Sequence, residues 1–235
     1  MRNYLIFNGL RSSDYGVYIS GQGTFNSPTR AYETISVPGR DGDILGPETR
    51  LENIEVTYPA FIYTNFKENL AGFRSDMLAS KGYCRLEDTY HPEEFRKAFF
   101  RGDLEVEATS RNDAGEFIIT FNCKPQRYLK SGEEVKSISS GGKIINPTPF
   151  DARPLIKVTG YGQLTINSDV ITIANTYSYV YIDSELMDCW YQTTNANAAV
   201  SFQRDDFPVL KAGENTFTYA NTITALEVTP RFWRV

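Results

Sequence analysis

The sequence holds one histidine, His91, among 235 residues. Any His-based metal site or Ser-His-Asp triad would depend on that single side chain. It sits in Asp88-Thr89-Tyr90-His91-Pro92-Glu93-Glu94, a turn-like stretch, and reads as an ordinary loop histidine. Cysteine is nearly as scarce. Cys84, Cys123 and Cys189 are far apart, odd in number and form no Cys-x-x-Cys pair. Free buried thiols in a protein assembled in a reducing cytoplasm are expected, not a disulfide framework or a zinc site. No stretch approaches the length of a membrane span, and the apolar run within residues 1–8 is too short for a signal peptide. A basic surplus is also missing: 24 Lys and Arg face 29 Asp and Glu, for a net charge of −5. That argues against a nucleic-acid-binding surface, although not against DNA that merely passes by.

Motifs of catalysis are equally thin. There is no Gly-x-Ser-x-Gly elbow and no phosphate-binding loop with its Lys and Ser/Thr, and Gly21-Gln22-Gly23 reads as a turn. Glycoside hydrolysis needs only two suitably spaced acids. The candidates are Asp41 with Asp43, Glu133 with Glu134, Asp183 with Glu185, and Asp205 with Asp206; each pair lies in a turn-rich setting and reads as a solvated turn. Asp41 and Asp43 lack the rest of a calcium-loop pattern. Asp41-Gly42 fits the tip of a β-hairpin better, because Gly tolerates the positive φ of such turns. The expectation is a protein that is not an enzyme, with no catalytic, cofactor-binding or metal-binding residue to assign.

What the chain has in quantity is aromatics: 15 Tyr and 15 Phe, often beside Thr, Val and Ile, a composition that favours pleated, half-buried surfaces. One segment reads as helix, over about residues 66–80. Phe66, Leu70, Phe73 and Met77 lay one apolar stripe, Asn65 can cap its start, and Gly82 is a stop signal. Most other segments read as strands, among them Ile54–Tyr58, Leu104–Ala108 and Phe117–Phe121. Residues 141–154, with Gly141-Gly142, Pro147, Pro149 and Pro154, predict a turn-rich junction between two domains. Beyond it, short strands separated by turns suggest a β-sandwich of about ninety residues. Tyr177, Tyr179 and Tyr181 alternate, so a strand would place all three rings on one face, where they could meet a partner protein or a glycan.

Several stretches, in order along nearly the whole chain, resemble the distal tail protein (Dit) family of siphophages and prophages of Gram-positive bacteria. Phe7-Asn8-Gly9 and Ser13-Asp14-Tyr15-Gly16 are similar to its opening, and Val37-Pro38-Gly39-Arg40-Asp41-Gly42 to its early turn. Cys123-Lys124-Pro125-Gln126-Arg127-Tyr128 resembles the end of its first domain. Asn146-Pro147-Thr148-Pro149 through Gly160 resembles its interdomain junction and first C-terminal strand, and Thr229-Pro230-Arg231-Phe232-Trp233 its closing segment.

The resemblance implies a mainly β protein. Residues 1–140 would form a β-sandwich with one helix and a projecting hairpin arm over about residues 32–55, and residues 155–235 a galectin-like sandwich. It implies a structural virion protein: six copies would close into a ring under the tail tube of a long non-contractile tail, continue the DNA channel and join the host-adsorption device. The implied partners are the tail tube protein, a tail-associated tip protein and receptor-binding or baseplate proteins, with DNA only as passing cargo and no membrane insertion. The arm turn Val37, Pro38, Gly39, Arg40, Asp41 and Gly42 would contact a neighbouring subunit. The main alternative is a carbohydrate-binding adsorption protein that uses the tyrosine row as its platform.

Overall fold

The computed structural model describes residues 2–46, 50–109, 111 and 113–235. It divides into two compact units, Met1–Arg127 with Val235, and Tyr128–Arg234. The division falls inside a continuous strand and upstream of the predicted junction. Residues 141–154 lie within the second unit, where their prolines bound loops of one domain. Asn146 explains why this segment is ordered: its amide donates to the carbonyls of Phe150 (2.8 Å) and Leu210 (3.1 Å), and its side-chain oxygen accepts from the Thr148 N–H.

The first unit begins with β1 (Leu5–Phe7), β2 (Leu10–Arg11) and β3 (Val17–Ile19). Four short strands follow, β4 (Arg30–Ala31), β5 (Thr34–Ile35), β6 (Ile44–Leu45) and β7 (Arg50–Leu51). Then come β8 (Ile54–Ile62), α1 (Phe66–Ala79), β9 (Cys84–Asp88), β10 (Glu94–Phe100), β11 (Val106–Ala108) and β12 (Gly115–Leu129). One sheet runs in the order β2-β1-β9-β10-β12-β8-β3, with β11 also on β12.

That sheet curls. β1 and β12 are three strands apart, about 14 Å in a flat sheet, yet the rings of Phe7 and Phe121 meet with centroids 5.0 Å apart. Along β8 and β12 the burial alternates with period two, and the inward set (Val56, Tyr58, Ile62, Phe117, Ile119, Phe121) forms the core. α1 buries Phe66, Leu70, Phe73 and Met77 into it, the stripe its sequence predicts. Emptying the Phe73 site, which has no exposure, should cost about 3–5 kcal/mol. The helix ends differ from expectation. Asn65 adopts a left-handed φ of 44° and makes no side-chain cap, and the helix stops at Ala79, before Gly82.

In the second unit the strands are β13 (Lys136–Ser137), β14 (Lys143–Asn146), β15 (Leu155–Gly160), β16 (Gly162–Ile166), β17 (Asp169–Ile173) and β18 (Tyr179–Asp183). They continue as β19 (Asp188–Tyr191), β20 (Thr194–Asn195), β21 (Val200–Phe202), β22 (Gly213–Tyr219), β23 (Ile223–Thr229) and β24 (Trp233–Arg234). A six-stranded sheet, β13-β23-β15-β18-β19-β20, and a five-stranded sheet, β14-β22-β16-β17-β21, make the two layers. Val158, Val180, Ile182, Leu164, Ile171 and Phe217 pack in one core, as two alternating inward faces require. β15 slips register at Gly160. A Cβ there would lie 2.2 Å from the Thr222 carbonyl oxygen and φ is +101°, so only glycine fits this bulge.

Candidate functional site: the projecting arm and the aromatic face

The turn at 37–42 sits at the tip of a hairpin. β5 pairs β6 through Thr34↔Leu45 and Ile35↔Ile44, and β4 pairs β7 through Arg30↔Leu51 and Ala31↔Arg50. The Arg40 N–H donates to the Val37 carbonyl at 3.2 Å. Gly39 and Gly42 take φ values of +82° and +77°, the backbone that the sequence reserved for them. The arm is displaced toward the N-terminus from the expected 32–55, because Ile54 and Glu55 already belong to β8. Its residues 47–49 lie outside the described residues.

This arm has little to hold it in place by itself. A lone two-stranded ribbon is marginal in water, and here each strand is two residues long. Val37 is half-buried, while Pro38, Gly39, Arg40, Asp41 and Gly42 are exposed. Behind the tip, Ile35 is 49% and Leu45 65% exposed, with Tyr32 and Ile44 also open. An uncovered ribbon with exposed apolar side chains offers open backbone edges and apolar area for pairing with another chain.

The tyrosine row belongs to the outer face of the six-stranded sheet. Tyr179 and Tyr181 lie on β18 as expected, while Tyr177 precedes the strand and stacks on Tyr191 with centroids 5.0 Å apart. Tyr179 also leans on Tyr191 (4.8 Å), and Tyr181 stacks on Trp190 (5.5 Å). The rings are half-buried against one another, and Tyr177 and Tyr191 also pack against the core. The polar groups beside them are paired: Lys157 bonds Glu227 at 3.0 Å and lies over the Tyr179 ring. Nothing local announces the Lys157–Glu227 pair, because β15 and β23 become neighbours only through the sheet order.

The remaining candidates separate. Asp41, Asp43, Glu133, Glu134, Asp205 and Asp206 are exposed on turns. Asp183, by contrast, is buried and held by Arg231 at 2.6 Å, with Glu185 at 3.7 Å from the same guanidinium. Burial pushes the Asp183 carboxyl up; the Arg231 hydrogen bonds and the Leu186 and Glu185 N–H groups outweigh that and bring it below its ordinary value. His91 places its ring Nδ1 3.1 Å from Asp88, whose carboxylate also accepts the Tyr90 and His91 N–H groups, an Asx turn at a loop. All three cysteines are free, with Cys123 and Cys189 buried and Cys84 half-buried. Burial pushes the thiols of Cys123 and Cys189 up to about 12. Among the described residues no group of three or more His, Cys, Asp or Glu could hold a metal ion, and no helix is long and apolar enough to cross a membrane.

No protein-family model matches the sequence, and no curated relative does. Solved structures are similar in fold. The Dit protein of SPP1, a hub of the adsorption apparatus in phages that infect Gram-positive bacteria, aligns with a TM-score of 0.72 at 13% identity, over 97% of this chain and 98% of that one. A chain of the phage P2 baseplate in its calcium-activated conformation aligns with a TM-score of 0.55 at 13% identity, over 97% of each chain. The strontium form gives 0.53 at 12%, over 100% of this chain and 98% of that one. From end to end, the chain has a mainly β, Dit-like fold.

Proposed function

We propose that this chain is the structural hub at the distal end of a long non-contractile phage tail. Six copies close into a ring beneath the tail tube, the ring continues the DNA channel, and the second unit carries or braces the host-adsorption device. The observation that carries this reading is the alignment of both units, in order, with the SPP1 hub protein over 97% of the chain. The arm supports it. Ring closure needs a heterologous contact between two different surfaces, and an exposed apolar ribbon with the Val37–Gly42 tip supplies one of them. A net charge of −5 suits a conduit through which DNA slides without counterion-releasing contacts. The partners on this reading are further copies of the chain, the tail tube protein, a tail-associated tip protein and receptor-binding or baseplate proteins. The protein works in the virion after assembly in the host cytoplasm, and it has no catalytic role. Electron microscopy of the purified protein tests the ring directly.

Carbohydrate binding is the weaker reading. A sugar site needs an open ring plus free polar groups that replace the water around several hydroxyls. Here the rings cover one another, and Lys157 and Glu227 are engaged with each other.

A further inference from the structure

The outer face of the curled sheet, turned away from α1, is charged in opposite senses at its two ends. At one end β11 lies on β12 with Glu107 directly opposite Glu116. Like charges facing each other across a ladder destabilise a sheet. The same end carries Glu105, with Phe61 and Ile118 among the side chains between the carboxylates; Ile118 is 55% exposed. Together they border an open groove of about 810 Å³ and its neighbour. At the other end the charges are basic and the rings aromatic. Lys124 lies 5.2 Å from the Tyr83 ring, Tyr83 meets Phe99 edge-on at 5.3 Å, and Arg101 lies over Phe99 at 5.7 Å.

Both clusters lie on one side because β12 alternates. Glu116, Ile118, Thr120, Asn122 and Lys124 all point away from the core that holds Phe117, Phe121 and Cys123. From Glu116 to Lys124 is about 27 Å along the strand, several Debye lengths in physiological salt, so the two ends act as separate patches. Each has an opposite charge at its margin: Arg2 stacks on Tyr63 at the acidic end, and Glu55, in register with Asn122, borders the basic end. The Arg85–Glu87 pair on β9 is neutral within itself.

We infer that this face is where one copy meets the next: the acidic end, with Phe61 and Ile118 at its centre, takes the basic aromatic end of a second copy. The facing Glu107 and Glu116 carboxylates gain Arg101 and Lys124 of the neighbour, which relieves their mutual repulsion. On the ring reading each copy gives its acidic end to one neighbour and its basic end to the other, the heterologous contact that a closed ring requires. The inference rests on the ring reading above and adds to it the surfaces that meet.

The test uses two full-length variants, Glu107→Lys with Glu116→Lys, and Arg101→Glu with Lys124→Glu. At a concentration where the unaltered protein forms rings by mass photometry, each variant alone should weaken self-association at least ~100-fold, as expected for several like-charge contacts. An equimolar mixture, in which reversed ends match again, should restore rings that alternate the two chains. Far-UV circular dichroism and melting report whether either variant has lost its fold. If one has, a salt titration of the unaltered protein gives the answer instead: ring dissociation should rise with ionic strength. Rings formed by each variant as by the unaltered protein, a salt-insensitive ring, or a mixture that stops at dimers would overturn the inference and leave the ring reading standing. Absence of rings from the unaltered protein, even with tail partners present, would remove the ring reading itself.

Discussion

Arg231 grips Asp183 with two parallel hydrogen bonds, 2.6 Å and 2.9 Å long. Asp183 is 2% exposed, so the pair is largely dry on one side, and Arg231 holds it from a left-handed backbone with φ 56°. The Arg231 N–H also donates to the Gly132 carbonyl at 2.7 Å, and the Phe232 carbonyl accepts from Leu129 at 2.8 Å. The closing Pro-Arg-Phe-Trp segment is thus fastened to the second unit at three points. Removing one partner of a buried pair leaves the other charge uncompensated, so Arg231→Met should cost about 3 kcal/mol in urea unfolding of the full chain. A loss below ~1 kcal/mol would show that solvent already screens the pair.

The same pair sets a pH dependence. Unfolded, Asp183 titrates near its ordinary 3.8; folded, it titrates lower. A depressed folded pKa contributes stability that is complete above the unfolded value and fades as pH falls below 3.8 through the folded one. The stability gap between the unaltered protein and Arg231→Met should therefore be widest at neutral pH and narrow as the pH falls below 3.8. A gap that grows with acid would contradict the assignment.

Much of this architecture is legible in the sequence, and the failures have physical causes. The stripe Phe66, Leu70, Phe73 and Met77 reads as helix because one face of a 3.6-residue period must meet the core. Alternation in 54–58 and 117–121 reads as strand for the corresponding reason. The boundary between units is illegible, because it falls within the last residues of β12, before the strand ends, where no turn marks it. Pro147 and Pro149 mislead because a tied Asn146 turn inside a domain carries the same punctuation as a linker. Asp183 and Arg231 are 48 residues apart, and no local pattern announces a pair that only the fold brings together. The arm tip was readable from Gly39 and Gly42; the charge division of the outer sheet face was not, since it depends on the register of β11 with β12.

Thiol chemistry should follow burial. Cys123 and Cys189 have no exposure, and their thiols are pushed up to about 12 by burial. An aromatic disulfide reagent at pH 8 should modify Cys84 alone in the folded protein and all three cysteines after denaturation. Mass spectrometry without reductant should find no intramolecular disulfide. Rapid modification of Cys123 in native protein would mean that the first core opens far more readily than its packing allows.

The aromatic face should not bind sugars well. No glycan affinity tighter than roughly 1 mM, about 4 kcal/mol of binding free energy, is expected. Titration calorimetry with host wall polysaccharide measures it. A saturable micromolar isotherm that disappears in Tyr179→Ala would instead make this face a receptor site.

The arm should matter for assembly and not for folding. Ile35 and Leu45 are among its exposed apolar residues, so Ile35→Asp with Leu45→Asp should shift unfolding by only about 0.5 kcal/mol per site. The same variant should lose self-association in sedimentation. A large stability loss with assembly intact would mean the ribbon is part of the first unit's own packing.

Negative-stain electron microscopy of the purified full chain, at high protein concentration and with tail partners added, shows directly whether copies close into a ring. Six-membered rings with an open central channel are expected. Monomer in dilute solution would not weigh against it, since ring closure depends on concentration. Only monomers at high concentration, with no rings when tail partners are present, would contradict it.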